Sequence, residues 1–460
     1  METLEIGSRI TPSQSVSDEV TTLNDQKRTK NRPIYSSAYI NYVIFLLMLV
    51  NVVNYMDRTA LSALLPLIKT DLALTDTELG LLTGVAFAIF YGLFGIPIAR
   101  LADKSNRRNI IAVAMTFWSA ATALCGAASG FWQLFIARIS VGVGEAGCIA
   151  PAQSMISDYV PVERRAGALS LHSIGVMLGI VAGLALGGWL GELIGWRVTF
   201  IVLGIPGVIL AIILKFTLHE PPRGYADGNT VIEETMPLTE VGNFLWHCRS
   251  YVHLCIAMII GNFVMGGLMV WLPSFYVRSF DLGVADVGFY YGLAHGIGGV
   301  VGLLLGGVLA NHLIKRDERF PVWLGAGAYF ITGPIYYYVF AASSYWLSFV
   351  SIFFATVIYS LSNGPMLVVL QSVVKPRMRA IASAIVILFS SLIGFAGGPL
   401  FVGMTSDYFS TLYGDESLRY SLMAILALLP WGALHVYLAS QSVAKDFILA
   451  GVRIKKAVNT

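Results

Sequence analysis

Charge is what this sequence is short of. Only 12% of its 460 residues are Asp, Glu, Lys or Arg, about half of what soluble domains carry, whereas 56% are hydrophobic and the mean hydropathy is +0.71. An ordinary water-soluble domain is excluded, and an integral membrane protein is expected. Cysteine is scarce as well. Cys125, Cys148, Cys248 and Cys255 lie in or beside apolar runs without metal-ligand spacing, so they read as small packing residues, and neither a disulfide framework nor a metal is expected. A net charge of +3 implies no nucleic-acid partner. The first 35 residues lack the short apolar core of a cleavable signal, which predicts a disordered cytoplasmic tail and insertion directed by the first apolar helix. No nucleophile and base are spaced for catalysis, so no enzyme and no cofactor are expected.

What the chain has instead is apolar runs near the ~20 residues that cross a bilayer. They fall at 39–68, 77–99, 109–129, 132–157, 166–191, 197–217, 251–276, 285–311, 321–342, 345–373, 380–404 and 420–440. The longest polar interruption, 217–249, carries Pro221-Pro222, Gly224, Gly228 and Glu233-Glu234 and divides these runs six and six. The expected fold is all-α and integral to the membrane, with twelve transmembrane helices in two six-helix bundles. Residues 1–38 form an N-terminal tail, 39–217 the first bundle, 218–249 a cytoplasmic linker, 250–440 the second bundle and 441–460 a C-terminal tail. Four basic residues (Lys69, Arg197, Arg278, Arg419) fall on one side and two (Arg58, Arg138) within spans, while the remainder of the 30 gather on the other side. That bias predicts a multi-pass protein with both termini cytoplasmic, in the plasma (inner) membrane if the source is bacterial. A short repeat supports two related halves: Ala99-Arg100-Leu101-Ala102-Asp103 closes helix 2 and Gly307-Val308-Leu309-Ala310-Asn311 closes helix 8. At the same offset Asn54 meets Asn262. Repeated halves are a recurring transporter architecture with the site near the midplane.

The first helix interrupts its apolar run with Asn51, Asn54, Asp57 and Arg58. Asn51, Asn54 and Arg58 share a helix face, with Asp57 on its shoulder. Ionised groups at bilayer depth are expensive, so this stripe is expected to face protein or a water-filled cavity and to mark a functional site. Helix 4 adds Arg138-x3-Gly142-x-Gly144-Glu145, whose charges lie two turns apart on one face, roughly 10 Å by helical rise. Either they line a cavity or they form an ion pair that fixes packing. Helix 5 repeats glycine at 175, 179, 183 and 187, a surface for close helix contact with no substrate role. His295 and His435, within spans, and His172 and His253, near helix starts, read as hydrogen-bonded packing residues and are left out of the site.

The loop after helix 2, Ala99-Arg100-Leu101-Ala102-Asp103-Lys104-Ser105-Asn106-Arg107-Arg108, resembles the G-x-L-A-D-R-x-G-R-R signature of the major facilitator superfamily, with Ala99, Lys104 and Asn106 as departures. The resemblance implies that Asp103, Arg107 and Arg108 latch the cytoplasmic side while the transporter opens outward. Asn311 replaces the acid in the second half, so the latch there should be weaker. Asn54-Tyr55-Met56-Asp57-Arg58 together with Arg138-x3-Gly142-Val143-Gly144-Glu145-Ala146 resembles the Spinster family of that superfamily. This implies a monomeric transporter of an amphipathic lipid such as a lysophospholipid or sphingoid phosphate, coupled to protons and surrounded by membrane lipids. Asp57 is the expected proton carrier, with Glu145 second. Arg138, Arg58, Asn54 and Glu145 are expected at the substrate, because guanidinium groups hold phosphate or carboxylate bidentately. An ionised Glu145 is expected to neutralise Arg138. A proton-coupled organic-anion symporter for a sugar acid or another carboxylate stands as an alternative, as does a non-transporting receptor or uncoupled scramblase.

Overall fold

A computed structural model describes residues 35–226, 237–313, 316–317 and 319–451. Residues 1–34 of the N-terminal tail expected at 1–38, and the side chain of Asn311, lie outside the described residues. Residues up to Val43 form one unit and Ile44–Thr460 the other.

Every regular element among the described residues is helical. The first bundle consists of α1 (Ser37–Leu72), α2 (Asp76–Lys104), α3 (Arg107–Cys125), α4 (Phe131–Tyr159), and α5 and α6, which together run Val162–Thr217 and bend at Gly195, φ 78°. Only glycine adopts that φ without strain, so this residue turns the chain between two spans. The second bundle consists of α7 (Arg249–Phe280), α8 (Val284–Leu313), α9 (Phe320–Ala341), α10 (Tyr345–Ser372), α11 (379–413) and α12 (417–449). Twelve helices therefore match the twelve apolar runs.

Two details differ from the sequence reading. The stretch expected to be a linker contains a helix, Leu238–His247, whose Val241 and Leu245 are buried one turn apart while Trp246 is exposed. Helix α12 runs on to Leu449, past the expected boundary at 440, because Val443 and Phe447 repeat the buried spacing. Asp446, in that extension, accepts the Ser250 N–H at 2.9 Å and its hydroxyl.

The helix 5 glycines do what their spacing predicts. A Cβ at Gly175 or Gly179 would come within 2.5 Å of the carbonyl oxygens of Met48 and Val52, and Gly183 and Gly187 meet Met56 and Ala60 in the same way. The backbones of α5 and α1 thus touch along four turns, which fixes the rotation of α1 and aims its polar residues away from α5. Asn51 is the exception: its amide donates to the His172 carbonyl at 3.1 Å. It belongs to the packing surface, and His172 is a buried packing residue as expected.

Both α2 and α11 contain a π-helical turn, at Leu81–Val85 and Ser390–Phe395. These helices cross where Gly80 and Gly84 meet Pro399 and Ala396, with a Cβ at Gly80 only 2.7 Å from the Pro399 carbonyl. Further along α2 the approach relaxes. A Cβ at Gly92 would find only the Leu392 and Leu388 side chains, at 3.4 and 3.6 Å, and Gly95 has nothing within 4 Å. Helices α5 and α8 behave alike: Gly188 and Gly288 meet backbone, whereas Gly299 meets only the flexible Met177 side chain. The two bundles are therefore tight at the end bearing Asp76 and splay toward the end bearing Arg107.

Candidate functional site

Helices α1 and α4 place the intramembrane charges together. Asp57 and Glu145 are 0% exposed, Asn54 1% and Arg138 2%. Arg58 Nε donates to Glu145 Oε2 at 2.5 Å, and its guanidinium lies 4.4 Å from the Phe87 ring centroid, 4.7 Å from Tyr91 and 4.9 Å from Tyr55. Three ring faces around a cation lower the cost of holding it away from water. Arg138 faces the same Phe87 ring at 5.5 Å.

This arrangement corrects one expectation. Glu145 pairs with Arg58 and not with Arg138, because two turns of one helix keep Arg138 away while Arg58 reaches across from α1. Arg138 is left with Nε and Nη1 buried and without a hydrogen-bond partner among the described residues. Asp57 also faces a neighbour the sequence did not single out: Thr122 of α3 donates to its Oδ2 at 3.3 Å, and Trp118, Arg138 and Glu145 surround it. Asp57 Oδ1, Glu145 Oε1 and both polar atoms of Asn54 have no well-aligned hydrogen-bond partner among the described residues, although Asn54 stands beside Glu145. Two carboxylates and two guanidiniums thus share one buried space with only one direct ion pair between them. Such a cluster can exchange partners with an anion or a proton at low cost in rearrangement.

The latch residues separate. Arg107 is fully buried and donates to Asp158 (2.5 Å), Glu220 (2.7 Å) and Ser154 (2.8 Å), which binds the ends of α3, α4 and α6 together. Arg108 donates its backbone N–H to Glu220 at 3.0 Å and its guanidinium to the Leu218 carbonyl at 3.0 Å. Asp103 is exposed and has no hydrogen bond or ion pair among the described residues. The sequence motif locates the cluster, but the acids that complete it, Asp158 and Glu220, lie outside the motif.

A second charged site, unforeseen from the sequence, joins the bundles at their tight end. Thr75 and Glu78 cap α2 reciprocally, at 3.1 and 2.8 Å, and this sets Asp76 at the first turn. The buried Asp76 carboxylate accepts both Arg278 nitrogens (2.6 and 2.7 Å), Lys69 (2.5 Å) and the Ser406 hydroxyl (2.6 Å). In return, the Asp407 carboxylate of α11 accepts the backbone N–H groups of Asp76 (3.0 Å) and Thr77 (2.7 Å) at the α2 N-terminus, where a negative charge is favoured. The Thr75-x-x-Glu78 capping box was readable in the sequence, but its partner bundle was not.

Comparison with known proteins places this geometry in context. The Major Facilitator Superfamily model matches residues 47–399. An "MFS-type efflux pump" of Mycolicibacterium smegmatis is 31% identical over 87% of this chain and 93% of its own. "Protein spinster homolog 1" of Xenopus laevis is 28% identical over 92% of this chain and 84% of its own. Among solved structures, a bacterial homologue of the human lysosomal transporter Spinster, inward-facing and unoccupied, aligns with a TM-score of 0.81 at 32% identity, covering 90% of this chain and 99% of that one.

Proposed function

Given that the chain belongs to the Spinster family of the major facilitator superfamily, and is thus a multi-pass membrane transporter, we propose that it moves an amphipathic anion by alternating access, driven by protons. The observation that carries this reading is the buried Arg138, whose guanidinium has no carboxylate partner beside an Arg58–Glu145 pair and a free Asp57 oxygen. A phosphate or carboxylate entering this space pairs with the unpartnered guanidinium of Arg138. Asp57 takes up or releases the proton as the cavity changes sides, because the burial of a carboxylate beside Glu145 and Arg138 balances opposing influences on its charge. Asn54 orients the headgroup, and Arg58 exchanges Glu145, which takes up a proton, for the incoming anion.

The basic bias of the sequence assigns the splayed end to the cytoplasm and the Asp76 end to the outside. The described state is then open inward: the Asp76–Arg278 clasp closes the outer side, and Asp103 is disengaged because the inner latch has no partner to hold. The organic-anion alternative rests on the same arginine and differs in the cargo, which has no hydrocarbon chain.

Counterflow in proteoliposomes tests the proposal. Labelled lysophosphatidic acid should exchange against unlabelled lipid, and Arg138→Ala should weaken its binding more than that of neutral monoacylglycerol. Equal losses for both would remove the anion role, exchange of small sugar acids alone would favour the organic-anion reading, and absence of counterflow for either class would remove transport of these anions.

A further inference from the structure

The outer surface of the first bundle carries a feature that the transport reading leaves unused. Helix α3 presents Val113 and Phe117, 70% and 49% exposed, as a ridge on its membrane face. A groove of about 540 Å³ runs along one side of that ridge, between α3 and α6, floored by Ala112, Ala120 and Ala211 and ending at Lys215. A second groove, of about 430 Å³, runs along the other side against α2 and α4, past Leu101, Gly144 and Gly147, and ends at Ser105, Asn106 and Asn109. Val113 and Phe117 line both. Each groove is apolar along its length and polar at the same end.

At that end the charges are unbalanced. Asn109 Oδ1 accepts Lys215 Nζ at 2.6 Å and also Arg108 Nε and Nη2, at 3.3 and 3.2 Å. Two cations therefore converge on one neutral oxygen. Two of the neighbouring carboxylates are engaged elsewhere, Asp158 by Arg107 and Glu220 by Arg107 Nε and the Arg108 backbone, while the exposed Asp103 is offset by the adjacent Lys104. Five basic side chains (Lys104, Arg107, Arg108, Lys215, Arg223) gather there with three acids (Asp103, Asp158, Glu220), leaving a local surplus of two positive charges.

We propose that this face binds one diacyl phospholipid with an anionic headgroup, its two chains lying in the grooves on either side of α3 and its phosphate resting on Lys215 and Arg108. The two grooves sharing a ridge select two chains joined at one head, and the cationic junction selects the charge. The site lies on the membrane face of the bundle, apart from the α1–α4 cluster, and is independent of the identity of the cargo.

Native mass spectrometry of protein released from nanodiscs tests it. From phosphatidylcholine nanodiscs containing phosphatidylglycerol, the wild type should retain one phosphatidylglycerol. Lys215→Gln should lower that retention about fivefold, the effect of one basic residue at an anionic lipid surface. Ala120→Phe, which fills the α3–α6 groove from its exposed side, should abolish retention while melting in pure phosphatidylcholine at the wild-type temperature. Unchanged retention in Lys215→Gln would overturn the headgroup assignment. Equal retention of single-chain lysophosphatidylglycerol, or equal thermal protection by glycerol phosphate, would overturn the two-groove site.

Discussion

The clasp between Asp76 and Arg278 gives the sharpest test of how the two bundles are held. Replacing Arg278 with alanine removes two of the four side-chain donors around a buried carboxylate, those at 2.6 and 2.7 Å. Breaking a buried pair by removing one partner costs about 3–5 kcal/mol. Lys69 and Ser406 still satisfy part of Asp76, so the loss falls to about 2 kcal/mol. That penalty applies only while the bundles are closed at this end, since opening exposes Asp76 to water. The equilibrium should therefore shift about thirtyfold toward the state open at the Asp76 end. Double electron–electron resonance reads this directly, with spin labels at Ala73 and Tyr408 in a background lacking the four native cysteines. The wild type should give one short distance. Arg278→Ala should add a population at longer distance, with the opposite change between labels at Lys104 and Lys375. A folded variant with an unaltered distance distribution at both ends would refute the clasp as a conformational lock.

Other outcomes follow from the same contacts. Arg58→Ala leaves the buried Glu145 without its direct ion partner, so the melting temperature should drop by an amount corresponding to about 3–5 kcal/mol, and adding Glu145→Gln should recover most of it; a double variant as unstable as the single one contradicts the pairing. Gly183→Ala drives a methyl group into Met56 and Thr59 and should destabilise by about 1–3 kcal/mol. Gly167→Ala, with nothing within 4 Å, should be neutral or slightly stabilising by helix propensity; thermal melting in detergent separates the two. The lysophosphatidic acid to monoacylglycerol affinity ratio, measured by thermal shift, should fall in Arg138→Ala and stay near wild type in Asn51→Leu, whose side chain serves packing.

How much of this was legible beforehand depends on whether a property is local. The apolar runs and the glycine spacing of α5 are local patterns, and they correspond to the twelve helices and to the α1–α5 contact. The charged residues of α1 and α4 were identifiable for the same reason: a charge in an apolar run stands out wherever it points. Their partners were not identifiable. Arg58 and Arg138 are equally plausible mates for Glu145 until the rotation of α1 is known, and that rotation is set by backbone contacts to α5 across more than a hundred residues. Thr122 was overlooked because a hydroxyl in an apolar helix carries no signal by itself. Asp76 and Arg278 were hidden for the opposite reason, since charges at helix ends are commonplace and only the closed bundle interface makes this pair unusual. The latch motif was visible as a string, but Asp158 and Glu220 complete its ion pairs from other helices.

The central claim is that Asp57 carries the proton that drives anion movement, and it is tested most directly by uptake under an imposed pH gradient. In proteoliposomes loaded at one pH and diluted into another, the wild type should accumulate lysophosphatidic acid in proportion to the gradient. Asp57→Asn, which keeps the size of the side chain and a hydrogen-bonding group near Thr122 but cannot ionise, should retain counterflow and lose accumulation. Gradient-driven accumulation in Asp57→Asn equal to that of the wild type would contradict the claim.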